Sequence, residues 1–205
     1  MFRNLLRPDS PLMITMNQIT DSIFLSLFWL MGCFPVVTAG ASFAALYDAS
    51  YRTYRQGEKN SWQRFGKVFR DNWKAGILPT VAVAVLGWAL AKILINAWNS
   101  AAVGAMSMMA FSGVAFLGVL ALGILSVVFP MLSRFDNSFA GLLKNSLLLA
   151  FANLPRTLAL GLLNAATIFL CVRLVVPLFF LPALAALLGS LLIEPMFKPF
   201  MEEAA

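Results

Sequence analysis

The chain has 205 residues, 60% of them hydrophobic and 12% charged, with 15 Lys and Arg against 9 Asp and Glu and no His. That is about half the charge of a soluble domain; with a mean hydropathy of +0.83 it excludes a soluble globular protein in favour of an integral membrane protein. The lack of His excludes histidine triads, HExxH zinc sites and imidazole proton relays.

The N-terminal stretch MFRNLLRPDSPLMITMNQ lacks the form of a signal peptide and is expected to be retained, with the first apolar run as signal anchor. Apolar runs follow at Ile19 to Val37, Ile77 to Trp98, Ala101 to Leu132, Leu158 to Val172 and Leu174 to Ile193. Several approach the ~20 residues of a bilayer-spanning helix. The first run breaks at CFPVVTAG. Pro35 ends the helix and restrains Phe34, Thr38 is placed to cap a returning helix, and Gly40 permits close backbone approach. The spacing predicts a hairpin over 18–55. Its second arm, from Ala39 to about Arg55, is polar and Ala-rich at Ala41, Ala44, Ala45 and Ala49, suited to packing among other helices. A re-entrant or cytoplasmic helix would instead leave five crossings; the positive-inside count favours the hairpin.

Arg52, Arg55, Lys59, Arg64, Lys67, Arg70 and Lys74 place the loop after the hairpin in the cytoplasm, and Arg134, Lys144 and Arg156 do the same for the later loop. NAWNSAAVG, without Lys or Arg, reads as external. Arg3, Arg7 and Lys198 put both termini inside. Asp21 and Arg52 are equidistant from the hairpin turn, and Asp48 and Arg52 are four apart on one helix face, so Asp21, Asp48 and Arg52 are expected to form a structural charge cluster rather than a conduction site. Lys92 and Arg173 lie near the outer ends of their runs, where they can snorkel, and Glu194, followed by Pro195, is expected to end the last helix.

Between the first two long runs, residues 60–75 predict a short amphipathic helix. Trp62, Phe65, Phe69 and Trp73 form one stripe, flanked by Arg64, Lys67, Arg70 and Lys74, and Ser61 is placed to cap its start. This pattern suits a helix in the inner headgroup layer, its aromatic face in lipid, or one that docks a partner. The formal charge of +6 is accounted for by such loops and does not call for nucleic acid.

Residues 77–193 supply the remaining transmembrane bundle. Gly87 and Ala91, Gly161 and Ala165, and Ala185 and Gly189 are spaced four apart, marking faces for close helix contact. Gly113, Gly118 and Gly123 recur every five residues and match no dimerisation pattern. Cys33 and Cys171 sit in separate apolar runs and read as small buried residues. No GxxxxGK[ST] sequence occurs, and SFAGLLKNSLLLAFANLPRTL lacks the Glu-Ala-Ala and Gly pattern by which ABC permeases dock on their ATPase.

LFWLMGCFPVVTAGASFAALYDASYR, then FGKVFRDNWKAG and LPRTLALGLL, resemble the YesL family of bacterial membrane proteins. The resemblance implies an association with carbohydrate ABC importers in Gram-positive bacteria and supplies no catalytic residues. The chain is therefore expected to be all-α: one polytopic membrane domain over 1–205, with about six transmembrane helices, a short cytoplasmic amphipathic helix and both termini cytoplasmic in the cell membrane. No catalytic, cofactor or metal site is expected. The expected function is a non-catalytic accessory or assembly subunit of a carbohydrate importer, partnered by the bilayer and by permease subunits, with Ala185 and Gly189 available as helix contacts. The alternative is a small channel or transporter with Asp48, Arg52 and Asn164 lining a path.

Overall fold

The structure, a computed structural model, describes residues 11–58, 60–135 and 138–202. Arg3, Arg7 and Lys59, three of the cations that orient the chain in the reading above, lie outside the described residues. Among those residues the elements are helical: α1 (Pro11–Cys33), a 3-10 turn (Val36–Thr38), α2 (Ala39–Gln56), α3 (Ser61–Asn72), α4 (Ile77–Ala102), α5 (Met108–Arg134), α6 (Phe139–Ala152), α7 (Leu154–Arg173), a second 3-10 turn (Val176–Phe179) and α8 (Leu181–Glu202).

Four of these, α4, α5, α7 and the Leu181–Lys198 part of α8, are long and apolar enough to cross a membrane. With 14 residues, α6 reaches only about 21 Å, short of the ~30 Å hydrocarbon core. The polar connection NAWNSAAVG is not a loop as expected. Instead α4 continues to Ala102, and the chain turns only at 103–107, where Gly104 takes φ 73° and Ser107 Oγ caps α5 by accepting from the Ala110 N–H.

Helix crossings in the bundle are set by glycines. A Cβ on Gly123 would collide with the Thr157 carbonyl of α7, and one on Gly161 with the Val119 carbonyl of α5, so this pair of helices touches backbone to backbone. Gly118 instead faces Leu94 of α4 at 2.9 Å from a hypothetical Cβ, and Gly113 meets nothing. Five residues rotate a helix position by about 140°, so successive glycines address different neighbours. That rotation explains why the five-residue repeat is no dimerisation motif.

The predicted hairpin forms, but it does not point away from the loop that follows it. α3 runs back alongside α2: Arg64 near its start meets Asp48, while Phe69 near its end lies beside Gly32 and Ser42 at the other end of the hairpin. The chain thus returns to the hairpin turn before α4 begins. There the Gly40 N–H donates to Thr80 Oγ1 at 2.9 Å, Thr80 Oγ1 donates to the Gly76 carbonyl at 2.6 Å, and Phe129 of α5 closes the corner. A turn on the far side of a membrane from the start of α4 could not make these contacts. Consequently α1, α2 and α3 form a three-helix layer, here called the platform, packed on the start of α4, the end of α5 and α8 from Ala183 to Glu194.

Within the platform α2 is the middle helix. Gly40, Ala41, Ser42 and Ala44 through Ser50 are all buried, and Ala41, Ala44, Ala45 and Ala49 have no exposed surface, because methyl side chains let neighbouring helices approach closely. One core cluster joins Leu25, Ala45, Leu46, Ala49, Phe65 and Val68 within the platform to Ala183 of α8. Another joins Ala44 and Tyr47 to Val127, Met131, Leu142, Leu160 and Phe197 of the bundle. The outer faces differ in character. α1 exposes Met16, Ile19, Ile23, Phe24 and Met31, whereas α3 exposes Gln63, Lys67, Arg70 and Asp71. One face suits lipid, the other water.

Candidate functional site

A buried ion cluster joins the platform to the bundle. Asp48 has no exposed surface. Its carboxylate accepts from Arg52 Nε at 3.2 Å and Arg64 Nε at 2.5 Å, and Arg134 Nη1 lies 3.9 Å away. Arg134 Nη2 donates to Glu194 Oε1 at 2.7 Å, and the Tyr47 hydroxyl donates to the same oxygen at 3.0 Å. The Arg134 guanidinium also lies over the Tyr51 ring, 4.4 Å from its centroid, a favourable cation–π placement. Five charges from α2, α3, α5 and α8 thus meet at one end of the bundle. Pairing is what makes their removal from water affordable.

Of the three residues expected to cluster, Asp48 and Arg52 come together and Asp21 does not join them. Asp21 Oδ1 instead accepts from Ser61 Oγ at 2.8 Å, tying the start of α3 to α1. Ser61 therefore does not cap α3, whose N-cap is Asn60, without a side-chain capping bond. Glu194 does not end the last helix either, since α8 runs on through Pro195 to Glu202. Arg64, Arg134, Glu194 and Tyr47 are the members that sequence reasoning missed. A signal was present for two of them: Arg134 and Glu194 lie at the same end of two separate apolar runs, where opposite charges at equal depth would be expected to pair.

The turn residues act differently from one another. Pro35 sits at extended angles, φ −81° and ψ 104°, ahead of the 3-10 turn. Thr38 occupies the N-cap of α2 but makes no capping bond; its hydroxyl donates to the carbonyls of Gly32 at 2.7 Å and Pro35 at 2.9 Å, binding the turn back to α1. Gly40 makes the close approach expected of it, since a Cβ there would lie 2.6 Å from the Phe129 ring.

The aromatic stripe on α3 is divided. Phe65 is buried and stacks on Phe28 and Phe69 at ring-centroid distances of 6.0 and 6.2 Å. Two of the four aromatics thus pack into the platform rather than into lipid. Trp62 and Trp73 remain 57% and 43% exposed, and Trp62, Gln63, Gly66, Lys67, Arg70 and Asp71 line a shallow groove on the outer side of α3. The split arises because α3 offers a neighbour on one side only, which sequence periodicity cannot show. Lys92 and Arg173 are exposed, each 5.6 Å from the centroid of a ring one turn away, Trp88 and Phe169.

A second concavity, of about 350 Å³, lies within the bundle. α2 contributes Phe43 and Tyr47, α4 Val83 and Gly87, and the remaining walls come from α1, α5, α7 and α8. Ala185 and Gly189 face this space, so they are not a free surface for another protein; a Cβ on Gly189 would lie 3.6 Å from Leu160 of α7. Asn164 also lines it, whereas Asp48 and Arg52 belong to the ion cluster behind Tyr47. These three residues do not line one path.

Residues 23–92 match a family model described as "Protein of unknown function, DUF624". The match covers α1 from Ile23, all of α2 and α3, and α4 as far as Lys92: the platform and the helix docked on its turn. No curated protein and no solved structure gives a significant match.

Proposed function

We propose that the protein is a non-catalytic accessory or assembly subunit of a carbohydrate ABC importer, held in the cell membrane by four crossings, with its platform and both termini on the cytoplasmic side. The observation that carries this reading is the construction of α3. Its inner face is used up by Phe65, Val68 and Phe69 against the platform, while Trp62, Lys67, Arg70 and Trp73 are left on the outside. Exposed Trp and Arg are the residue types that dominate protein contacts. Four crossings also keep Arg64, Lys67, Arg70, Lys144, Arg156 and Lys198 on one side, in accord with the positive-inside rule. The importer as partner comes from the YesL-like segments, with which the match over 23–92 is compatible.

A closed cluster argues against the channel alternative. Asp48 is wholly buried and held by Arg52 and Arg64, and Glu194 is held by Arg134, so the two carboxylates are paired instead of facing an aqueous path. The test is purification in mild detergent from cells that also express a carbohydrate ABC importer. The permease subunits are expected to copurify with the wild-type protein and to be lost from K67E/R70E, which leaves the buried face of α3 intact. Copurification that K67E/R70E leaves unchanged would remove α3 as the docking surface, and solute flux through the isolated protein in liposomes would replace the accessory reading with the channel.

A further inference from the structure

We infer that the groove in the bundle is a lipid site that takes one acyl chain of a phospholipid. This inference depends on the four long helices lying in a bilayer and not on any importer partner. The walls are apolar: Phe43, Val83, Leu122, Phe129, Leu160 and Ile168 are among them. At about 350 Å³ the space is more than twice the ~150 Å³ of an engineered apolar cavity that binds benzene, so it can hold a chain rather than a single small molecule.

Its position selects the occupant. α4 packs on α5 and α2, while α7 and α8 pack on each other, so the groove lies between these two groups with α5 behind it and the platform beneath. On α7 it runs from Leu160 to Cys171 and on α8 from Pro182 to Ile193, each about 16 Å by helix rise. That is about half of the ~30 Å core, a length that an acyl chain can fill. Both helices are of membrane-spanning length and composition, so the apolar molecule that can reach the groove is lipid.

α1 supplies an aromatic wall. Trp29 lines the groove, packs edge-on against Phe43 at 5.1 Å between centroids, and its buried indole N–H has no acceptor among the described residues. Ser126, Thr167 and Asn164, which also line the groove, each give a side-chain donor to a carbonyl one turn back in their own helix, at 2.6 to 2.9 Å, so their polarity is largely spent.

The test uses the full chain with W62F/W73F/W88F/W98F, leaving Trp29 as the fluorophore. Reconstituted in phosphatidylcholine with brominated acyl chains, Trp29 is expected to be quenched by the lipid and to resist aqueous iodide. Filling the groove with either A185L or G189L should remove most of the bromolipid quenching, and L191F, on the exposed side of α8, should not. In parallel, native mass spectrometry is expected to show one retained phospholipid on the wild-type protein and none on the filled variants. Two independent positions guard against a fill that misfolds, with circular dichroism and a monodisperse elution profile as the check. Quenching by iodide would mean a water-filled groove and overturn the inference. So would bromolipid quenching unchanged in a folded filled variant, which would mean contact with surrounding lipid only.

Discussion

Replacing Asp48 with Asn tests whether the ion cluster holds the platform to the bundle. The substitution keeps the volume and removes one charge from a carboxylate that has no exposed surface and three arginines around it. Breaking a buried pair by removing one partner costs about 3–5 kcal/mol, because the other charge is stranded. The loss should not be counted for all three arginines. The Arg52 side chain is 32% exposed and can be solvated, so its share is that of a surface pair, about 0–1 kcal/mol. Arg134 keeps Glu194. Arg64, 20% exposed and held by Asp48, carries most of the penalty, which places D48N near the lower end, about 3 kcal/mol, or roughly a hundredfold in the folded-to-unfolded ratio. Reversible unfolding in mixed micelles, titrated with SDS and followed by helical circular dichroism, measures this. R64Q should cost clearly less in the D48N background than in the wild type, with a coupling between about 0.5 and 3 kcal/mol. A cost for D48N below about 1 kcal/mol, with additive R64Q, would show that the cluster is screened by solvent and contributes little to the join.

Other substitutions probe the backbone contacts. In the same unfolding assay G123A should cost about 1–3 kcal/mol, because its methyl group meets the Thr157 carbonyl, while G113A, which meets nothing within 4 Å, should be close to neutral. G40A, pressed against Phe129 and Thr80, should destabilise by a similar amount to G123A, and T80V should lose the bond to the Gly40 N–H at about 1 kcal/mol. A D21N and R52Q double-mutant cycle should be additive within about 0.5 kcal/mol, since Asp21 binds Ser61 and Arg52 binds Asp48; a larger coupling would mean that the two are in contact after all. Cysteines introduced at Asn60 and Phe34 should both resist an impermeant thiol reagent in intact cells, and one at Ser100 should react. Labelling at Phe34 alone among the first two would place the hairpin turn outside and restore six crossings.

The solvent and the helices of this chain are determined by sequence alone. Membrane residence follows from apolar runs of spanning length, which carry their own backbone hydrogen bonds and need no partner to be recognised. The break at Pro35, the closeness required at Gly40 and the pairing of Asp48 with Arg52 are likewise local, each set by chemistry within a few residues or by helical periodicity. What sequence could not decide is everything that depends on direction in space. A polar, Ala-rich helix packs equally well as a membrane crossing or as the middle of a platform, and only the meeting of Gly40 with Thr80 and Phe129 places the turn beside the start of α4. The same holds for Arg64, which periodicity assigns to the flank of an exposed stripe and which the return of α3 along α2 delivers to Asp48. Glu194 gains its role because α8 continues through Pro195 and presents it to Arg134, sixty residues earlier in the chain. Long-range partners such as these are selected by which helices pack together, and close packing here turns on glycines and alanines, whose small size permits contact with any neighbour and so names none in advance.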